Sequence, residues 1–122
     1  MRIEEIENEL SEIIDFAGCY YNKDNSEEIN ERITNLNVYL ARSAVLLSEA
    51  QYLYDRKYAD ETEALLSEQQ LSPSVITNLA KSRCALEGKI VKLAERINRT
   101  ITHQLDSLRT QLSYLKVLQM EK

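Results

Sequence analysis

"GKIVKLAERINRTITHQLDSLRTQLSYLK" (Gly88–Lys116) decides the fold, because its apolar side chains recur every three or four residues. A helix turns once in about 3.6 residues, so this spacing places them on one face. The same rhythm begins at Ile76 and continues to Leu115. It predicts one helix over residues 73–119 whose buried face carries Ile76, Leu79, Leu86, Ile90, Leu93, Ile97, Ile101, Leu105, Leu108, Leu112 and Leu115.

Two residues mark the start of this helix, and a third, within it, is a weak helix former. Ser72 is typical of an N-cap, and Pro73 suits the first helical position, where its missing N–H costs nothing. Gly88 is the only weak helix former inside the segment, and we expect it to provide packing room without breaking the helix.

Two further helices precede this one. Ile3, Ile6, Leu10, Ile13 and Ala17 form one helical stripe, which predicts a short helix over residues 3–21. Gly18 offers an earlier end as a left-handed cap. The polar turn "NKDNS" (Asn22–Ser26) follows, with Ser26 as the expected N-cap of the next helix.

The second helix is predicted over residues 27–68, and its expected buried face includes Ile29, Ile33, Leu36, Leu40, Ala44, Leu47, Ala50, Leu53, Tyr54, Tyr58 and Leu65. Asp60 and Glu63 have the spacing of a capping box, so a kink or a restart at Asp60 remains open.

These segments predict an all-α protein of one domain, with a short N-terminal helix and two long antiparallel helices in a coiled-coil hairpin or helical bundle. The alternative is a compact four-helix bundle, folded at Asp60. Because a two-helix rod with a short third helix has a thin core, we predict self-association into a dimer or tetramer.

Composition narrows the classes of function. No apolar run approaches the roughly 20 residues that span a bilayer, so we expect no membrane partner. The acidic, amphipathic N-terminus does not resemble a signal peptide. Cys19 and Cys84 have no disulfide or metal motif around them, which favours idle thiols in a reducing cytoplasm.

The net charge of −5 hides an asymmetry between the two parts of the chain. Residues 1–72 carry six basic and sixteen acidic side chains, whereas residues 73–122 carry nine basic and four acidic ones. On a continuous helix, six cations gather on the side opposite the apolar stripe, along about 33 Å. We call this set the basic face: Lys81, Lys89, Lys92, Arg96, Arg99 and His103.

Like charges at i,i+4 in the basic face cost a few tenths of a kcal/mol each, so an anionic partner is expected. One hypothesis is internal: carboxylates of the first helix (Glu4, Glu7, Glu12, Asp15) or of a neighbouring subunit line the face. The other is phosphate contact with nucleic acid. The face has no aromatic members, which argues against stacking of single-stranded bases.

Catalytic and metal-binding interpretations fit the sequence less well. His103, Asp106 and Ser107 share the letters of a catalytic triad, but neighbours on one helix diverge. Asp106 and Arg109 have the spacing of a salt bridge, and with Ser113 and Lys116 they form what we call the polar flank. Two carboxylate pairs resemble magnesium-binding pairs of helical nucleotide hydrolases: Glu9 with Glu12, and Glu28 with Glu31. One histidine and two remote cysteines do not make a zinc site. We expect no cofactor and no small-molecule substrate.

The segment Arg96–Lys116 resembles the C-terminal end of small all-helical proteins encoded by phages and prophages. The resemblance covers about the last quarter of the chain and rests on Asn98, His103, Gln104, Asp106, Arg109, Ser113, Tyr114 and Lys116. It implies an early-region gene product associated with DNA replication or recombination, and it implies no catalytic role.

The sequence therefore predicts a non-enzymatic, self-associating interaction protein of the bacterial cytoplasm, which docks a protein or nucleic acid through its C-terminal helix. The alternatives are a structural assembly or adaptor protein that binds no nucleic acid and, less favoured, a magnesium-dependent nucleotide hydrolase.

Overall fold

The structure is a computed structural model that describes residues 1–68 and 70–121. These residues form four helices and no strand: α1 (Ile3–Ala17), α2 (Ser26–Glu68), α3 (Pro73–Arg83) and α4 (Ala85–Met120). The predicted all-α helical bundle is confirmed. No helix in the described ranges is both long and apolar enough to cross a membrane.

The two longest helices, α2 and α4, run antiparallel along most of their length. Residues of rising number in α2 meet residues of falling number in α4, as three contacts show: Arg32–Gln104, Ser43–Asn98 and Lys57–Glu87. Helix α1 lies antiparallel to α2, since Glu9 reaches Arg42 while Ala17 reaches Arg32. The bundle is therefore three helices thick where α1 lies against the long pair.

Helix α2 continues through Asp60 without interruption, which answers the question that the sequence left open. At about 1.5 Å per residue, its 43 residues extend about 65 Å. Helix α1 ends at Ala17, short of the predicted residue 21. Its cap residue, Gly18, has φ −89°, so the helix ends without a left-handed residue.

The prediction of one helix over residues 73–119 is wrong at one point, because a break in the helix occurs at Cys84. Cys84 has φ −103° and ψ 19°, and its N–H donates to the carbonyl of Lys81, three residues back. The break separates α3 from α4 and shifts the phase of the buried face. Leu79 and Leu86, both expected in the core, are 37% and 47% exposed.

The helix starts follow local capping chemistry. Ser72 caps α3 as expected, because its hydroxyl accepts from the N–H of Val75 at 3.4 Å, and Pro73 is the first helical residue. At α2 the prediction was wrong by one residue. Asn25 is the capping residue, since its side-chain oxygen accepts from the N–H groups of Glu27 and Glu28.

The apolar interior has two parts. The main core lies between α1, α2 and α4 and includes Ile6, Leu10, Ile13, Ile29, Leu36, Leu46, Ile90, Ile97, Ile101, Leu105 and Leu108. A smaller cluster joins α2 to α3 through Leu65, Ile76 and Ala80. Ala44, predicted on the buried face, is exposed. The buried side chains of α4 face α2 and α1, which leaves the opposite side of α4 to solvent.

Candidate anion-binding face

All six members of the basic face are exposed. In α4, the buried positions Ile90, Ala94 and Ile97 face the core, while Lys89, Lys92 and Arg96 lie on the other side of the same turns. Lys81 belongs to α3, and the break at Cys84 separates it from the rest.

None of these six cations forms an ion pair within the part of the chain that the structure describes. The carboxylates of α1 that form salt bridges pair with residues outside the basic face: Glu5 bonds to Arg2, and Glu9 bonds to Arg42 of α2. The first helix of the same chain therefore does not supply salt bridges to the basic face.

A shallow groove of about 680 Å³ collects four members of the basic face across the break. Lys81, Lys89, Lys92 and Arg96 line it, together with one acidic residue, Glu95. Its remaining lining includes Gln51, Tyr54, Cys84, Ala85, Gly88, Val91 and Leu93. Arg99 and His103 lie farther along α4, outside the groove. The groove thus concentrates positive charge where α3 meets α4.

The groove depends on the small side chain of Gly88. A Cβ atom added there would lie 3.3 Å from Cε2 of Tyr54, closer than an ordinary van der Waals contact. The Tyr54 ring also stacks on Tyr58, with ring centroids 6.1 Å apart. Gly88 therefore provides room for an aromatic side chain at the groove, in agreement with its predicted packing role.

The polar flank is an exposed surface without a shared binding geometry. Asp106 and Arg109 form the expected salt bridge at 3.7 Å, and their side chains are 71% and 55% exposed. Ser113 and Lys116 are exposed farther along α4. The flank remains a predicted partner surface, with one weak ion pair as its visible interaction.

Arg32, which is 6% exposed, is the centre of a buried polar junction that was not predicted from the sequence. Its guanidinium donates to the side-chain oxygen of Gln104 at 2.8 Å and to the carbonyls of Phe16 and Ala17 at 3.2 and 2.8 Å. The side-chain amide of Gln104 also donates to the carbonyl of Ala17, at 3.0 Å. One junction therefore ties the end of α1 to both long helices.

Two residues of the pattern noted in Arg96–Lys116 therefore form hydrogen bonds between helices inside the bundle. Gln104 belongs to the Arg32 junction, and Asn98 donates to the hydroxyl of the fully buried Ser43 at 3.1 Å. The sequence does contain a signal for the Arg32 junction. Arg32 lies between Ile29 and Leu36 at helical spacing, so a polar residue occupies a position on the apolar stripe.

A second buried charge lies beside the break. Glu87 is 6% exposed and accepts two hydrogen bonds from the ammonium of Lys57, at 3.0 and 3.3 Å. This hydrogen bond raises the pKa of Lys57. Burial raises the pKa of the neighbouring Cys84 thiol, which keeps it protonated. Both cysteines are free: Cys19 is exposed and Cys84 is buried.

No group of three or more His, Cys, Asp or Glu side chains converges within residues 1–68 and 70–121 in a way that would hold a metal ion. Of the proposed magnesium-binding carboxylates, Glu9 is bonded to Arg42 at 2.6 and 2.7 Å. His103 is exposed, and Asp106, which shares the letters of a catalytic triad with it, pairs with Arg109.

Comparison of the chain with protein-family models, with curated proteins and with solved structures finds no match.

Proposed function

We propose that the protein is a non-catalytic helical interaction protein that self-associates and binds nucleic acid through the basic face. One observation carries the nucleic-acid part: all six side chains of the face are exposed, and none has an ion-pair partner in the described ranges of the chain. Three other basic residues outside the face do have interhelical carboxylate partners: Arg42, Lys57 and Arg83.

The positive charges of the face repel one another unless an external anion lies against them. Lys92 and Arg96 are four residues apart on α4, as are Arg99 and His103. Such pairs destabilise an isolated helix by about 0.2–0.5 kcal/mol each, with the second pair contributing only when the histidine is protonated. Phosphates that bind across these residues would offset this repulsion.

The shape of the face suits a polyanion with regular charge spacing. Duplex DNA carries one negative charge per about 1.7 Å of its axis, so a rod-like face meets several phosphates at once. The cations have no aromatic neighbours within the face, so contacts to phosphate dominate and little sequence specificity is expected. The groove between α3 and α4 would hold the highest density of these contacts.

The resemblance of the C-terminal helix to phage and prophage proteins supports a role in phage DNA replication or recombination, in the bacterial cytoplasm. Asn98 and Gln104 belong to the shared pattern, and both form hydrogen bonds to other helices. The packing of the fold therefore accounts for part of that pattern. The basic face therefore supports the binding proposal independently of the resemblance.

A mobility-shift experiment at low salt, with DNA and RNA as probes, tests the proposal. The double variant Arg96→Glu/Arg99→Glu is expected to abolish the shift. The matched control, Arg2→Glu/Lys23→Glu, changes the net charge equally at exposed positions outside the face, and we expect it to keep the shift. If no nucleic acid binds the unmodified chain, or if both variants weaken binding equally, this branch is wrong.

The second candidate is a structural assembly or adaptor protein that binds no nucleic acid. It is favoured by large apolar side chains on the outer side of α2: Val38 is 65% exposed, Tyr52 57% and Leu66 65%. A stable oligomer with no affinity for DNA or RNA would support this candidate over the first.

A further inference from the structure

The outer side of α2 carries a stripe of apolar side chains that are exposed to solvent. Every seventh residue from Val38 onward is apolar, and the exposed fractions are 65% for Val38, 47% for Val45, 57% for Tyr52 and 65% for Leu66. Ala59 completes the series and is also exposed. At about 1.5 Å per residue the stripe is about 42 Å long. We call it the outer stripe.

A heptad spacing on an exposed helix face is typical of a coiled-coil seam. The core of this chain lies on the other side of α2, since Leu36, Leu46 and Leu65 are fully or almost fully buried there. The intervening positions of the seam are the small residues Ala41 and Ser48 and, farther along, the charged Asp55, and all three are exposed. Small residues at these positions allow a second helix to approach closely.

Charged residues follow the same seven-residue period along one edge of the outer stripe, and their signs alternate: Arg42, Glu49, Arg56 and Glu63. The side chains of Arg42 and Glu49 are each 41% exposed, although Arg42 also binds Glu9 and Glu49 lies 3.8 Å from the N-terminal amine. Arg56 and Glu63 are exposed. This edge is the feature that identifies the occupant of the stripe.

The stripe and its edge are self-complementary for an antiparallel arrangement centred on Tyr52. With Tyr52 on a two-fold axis, Val45 faces Ala59 of a second copy, and Val38 faces Leu66. The same register places Glu49 beside Arg56 of the second copy and Arg42 beside Glu63, so that each edge contact joins opposite charges. A two-fold interface requires this reciprocity, because each patch meets its own copy.

We infer that the outer stripe of α2 is the surface through which two copies of this chain associate, as an antiparallel helix pair about a two-fold axis at Tyr52. The inference rests on the proposed self-association and adds its location, direction and register. The basic face lies on α3 and α4 and shares no residue with the outer stripe, so one copy can offer both surfaces.

Sedimentation equilibrium measures the contribution of the outer stripe. Val45→Glu is expected to raise the dimer dissociation constant by about 10- to 100-fold, because it places two carboxylates in the seam. Val117→Glu, at a 53% exposed position near the end of α4, is the matched control and should leave the constant unchanged. Dissociation by Val117→Glu instead of Val45→Glu would overturn the inference.

The charged edge permits a swap experiment. Glu49→Arg alone is expected to weaken the dimer, and Glu49→Arg/Arg56→Glu should restore it, because the opposite charges then face each other again. Loss of the contact between Glu49 and the N-terminal amine occurs in both variants, so it does not explain a rescue. Failure of the double variant to recover would contradict the antiparallel register.

Thiol cross-linking determines the position of the axis, in a Cys19→Ser background in which Cys84 remains buried. Tyr52→Cys should cross-link to its own copy with a short bifunctional reagent, since the axis passes there. Val45→Cys should not, because 14 residues separate it from the residue it faces, or about 21 Å along the helix. Val45→Cys/Ala59→Cys should cross-link. Efficient cross-linking of Val45→Cys alone would overturn the register.

These outcomes also separate the inference from the proposed function. A chain that remains monomeric at every concentration contradicts both the inference and the proposed self-association. A dimer that Val45→Glu leaves intact contradicts the inference alone. A dimer that Val45→Glu dissociates, but that binds no nucleic acid, supports the inference and contradicts only the nucleic-acid proposal.

Discussion

Arg32 is the residue that best explains how α1 is held in the bundle. Its buried guanidinium is near no carboxylate in the described residues, yet it lies at the C-terminal end of α1 and donates to two terminal carbonyls. The negative end of the helix dipole stabilises a cation there. The rings of Phe16 and Tyr21, centred 5.1 and 4.3 Å from the guanidinium carbon, add cation–π contacts.

Replacement of Arg32 therefore tests this junction. Arg32→Met removes three hydrogen bonds and takes away the donor to the side-chain oxygen of Gln104, and we expect it to lower the free energy of unfolding by about 2–4 kcal/mol. Lys23→Met, at an exposed position in the turn before α2, should change it by less than about 0.5 kcal/mol. Urea denaturation followed by circular dichroism measures both, and equal effects would contradict the role assigned to Arg32.

Gly88 and Tyr54 provide a second test at the level of single residues. Alanine is favoured over glycine in a helix by about 1 kcal/mol, but here its Cβ would press on the Tyr54 ring. Gly88→Ala should therefore be nearly neutral in the natural chain. In a Tyr54→Ala background it should stabilise the fold by about 0.5–1 kcal/mol, as a double-mutant cycle would show. Identical effects in both backgrounds would exclude the contact.

At this scale the sequence predicts the apolar contacts better than the polar ones. Periodicity places Leu10, Ile97 and Ile101 correctly, because burial of apolar surface follows the helical repeat directly. Arg32 stands out as a polar residue on the apolar stripe, but the sequence does not show its partners, because Gln104 and the carbonyl of Ala17 belong to other helices. Whether Lys89 and Lys92 form ion pairs likewise depends on which residues the carboxylates of α1 reach in the fold, and the sequence alone does not show this.

Among the elements, the break at Cys84 is the main departure from the expected architecture. The apolar spacing from Ile76 to Ile90 fits one continuous helix, and no proline or glycine lies at the break. Packing decides the outcome. The break lets Ile76 and Ala80 of α3 cluster with Leu65 near the end of α2, at the expense of exposing Leu79 and Leu86. The helical character of the segments was thus predictable, whereas the number of helices and the phase of the buried face were not.

The contact between α1 and α2 has a pH dependence of known sign. Hydrogen bonds from Arg42 hold the pKa of Glu9 below its ordinary value of 4.5. The ionised pair therefore stabilises the fold above that value, and the contribution is lost as the pH falls through the lower pKa of the folded state. The difference in unfolding free energy between the natural chain and Glu9→Gln should shrink over this acidic window. Urea titrations at a series of pH values measure it, and a constant difference would contradict the assignment.

For the whole molecule, the outer stripe lies on α2 and the basic face lies on α3 and α4, and the two surfaces share no residue. Antiparallel pairing through the outer stripe would therefore leave the basic face of each copy outside the interface. The fold class predicted from the sequence allowed self-association but did not locate it, because the outer stripe becomes visible only when the core side of α2 is known. A dimer of this form would present two binding surfaces.

Such a dimer is expected to bridge two nucleic-acid duplexes. Two DNA duplexes that carry different fluorophores should be captured in one complex by the natural chain, which energy transfer or co-precipitation detects. Val45→Glu should still bind each duplex through its basic face but should not bridge them. Bridging that survives dissociation of the dimer would contradict this arrangement.

The salt dependence of DNA binding tests the central claim, that the basic face contacts phosphates, most directly. Fluorescence anisotropy gives the binding constant K over a series of salt concentrations. For four to six phosphate contacts, the plot of log K against log salt should have a slope of about −4 to −5. The conservative double variant Arg96→Gln/Arg99→Gln, which retains measurable affinity, should make that slope shallower by about 2. An unchanged slope in this variant, or no binding by the natural chain at low salt, would contradict the account.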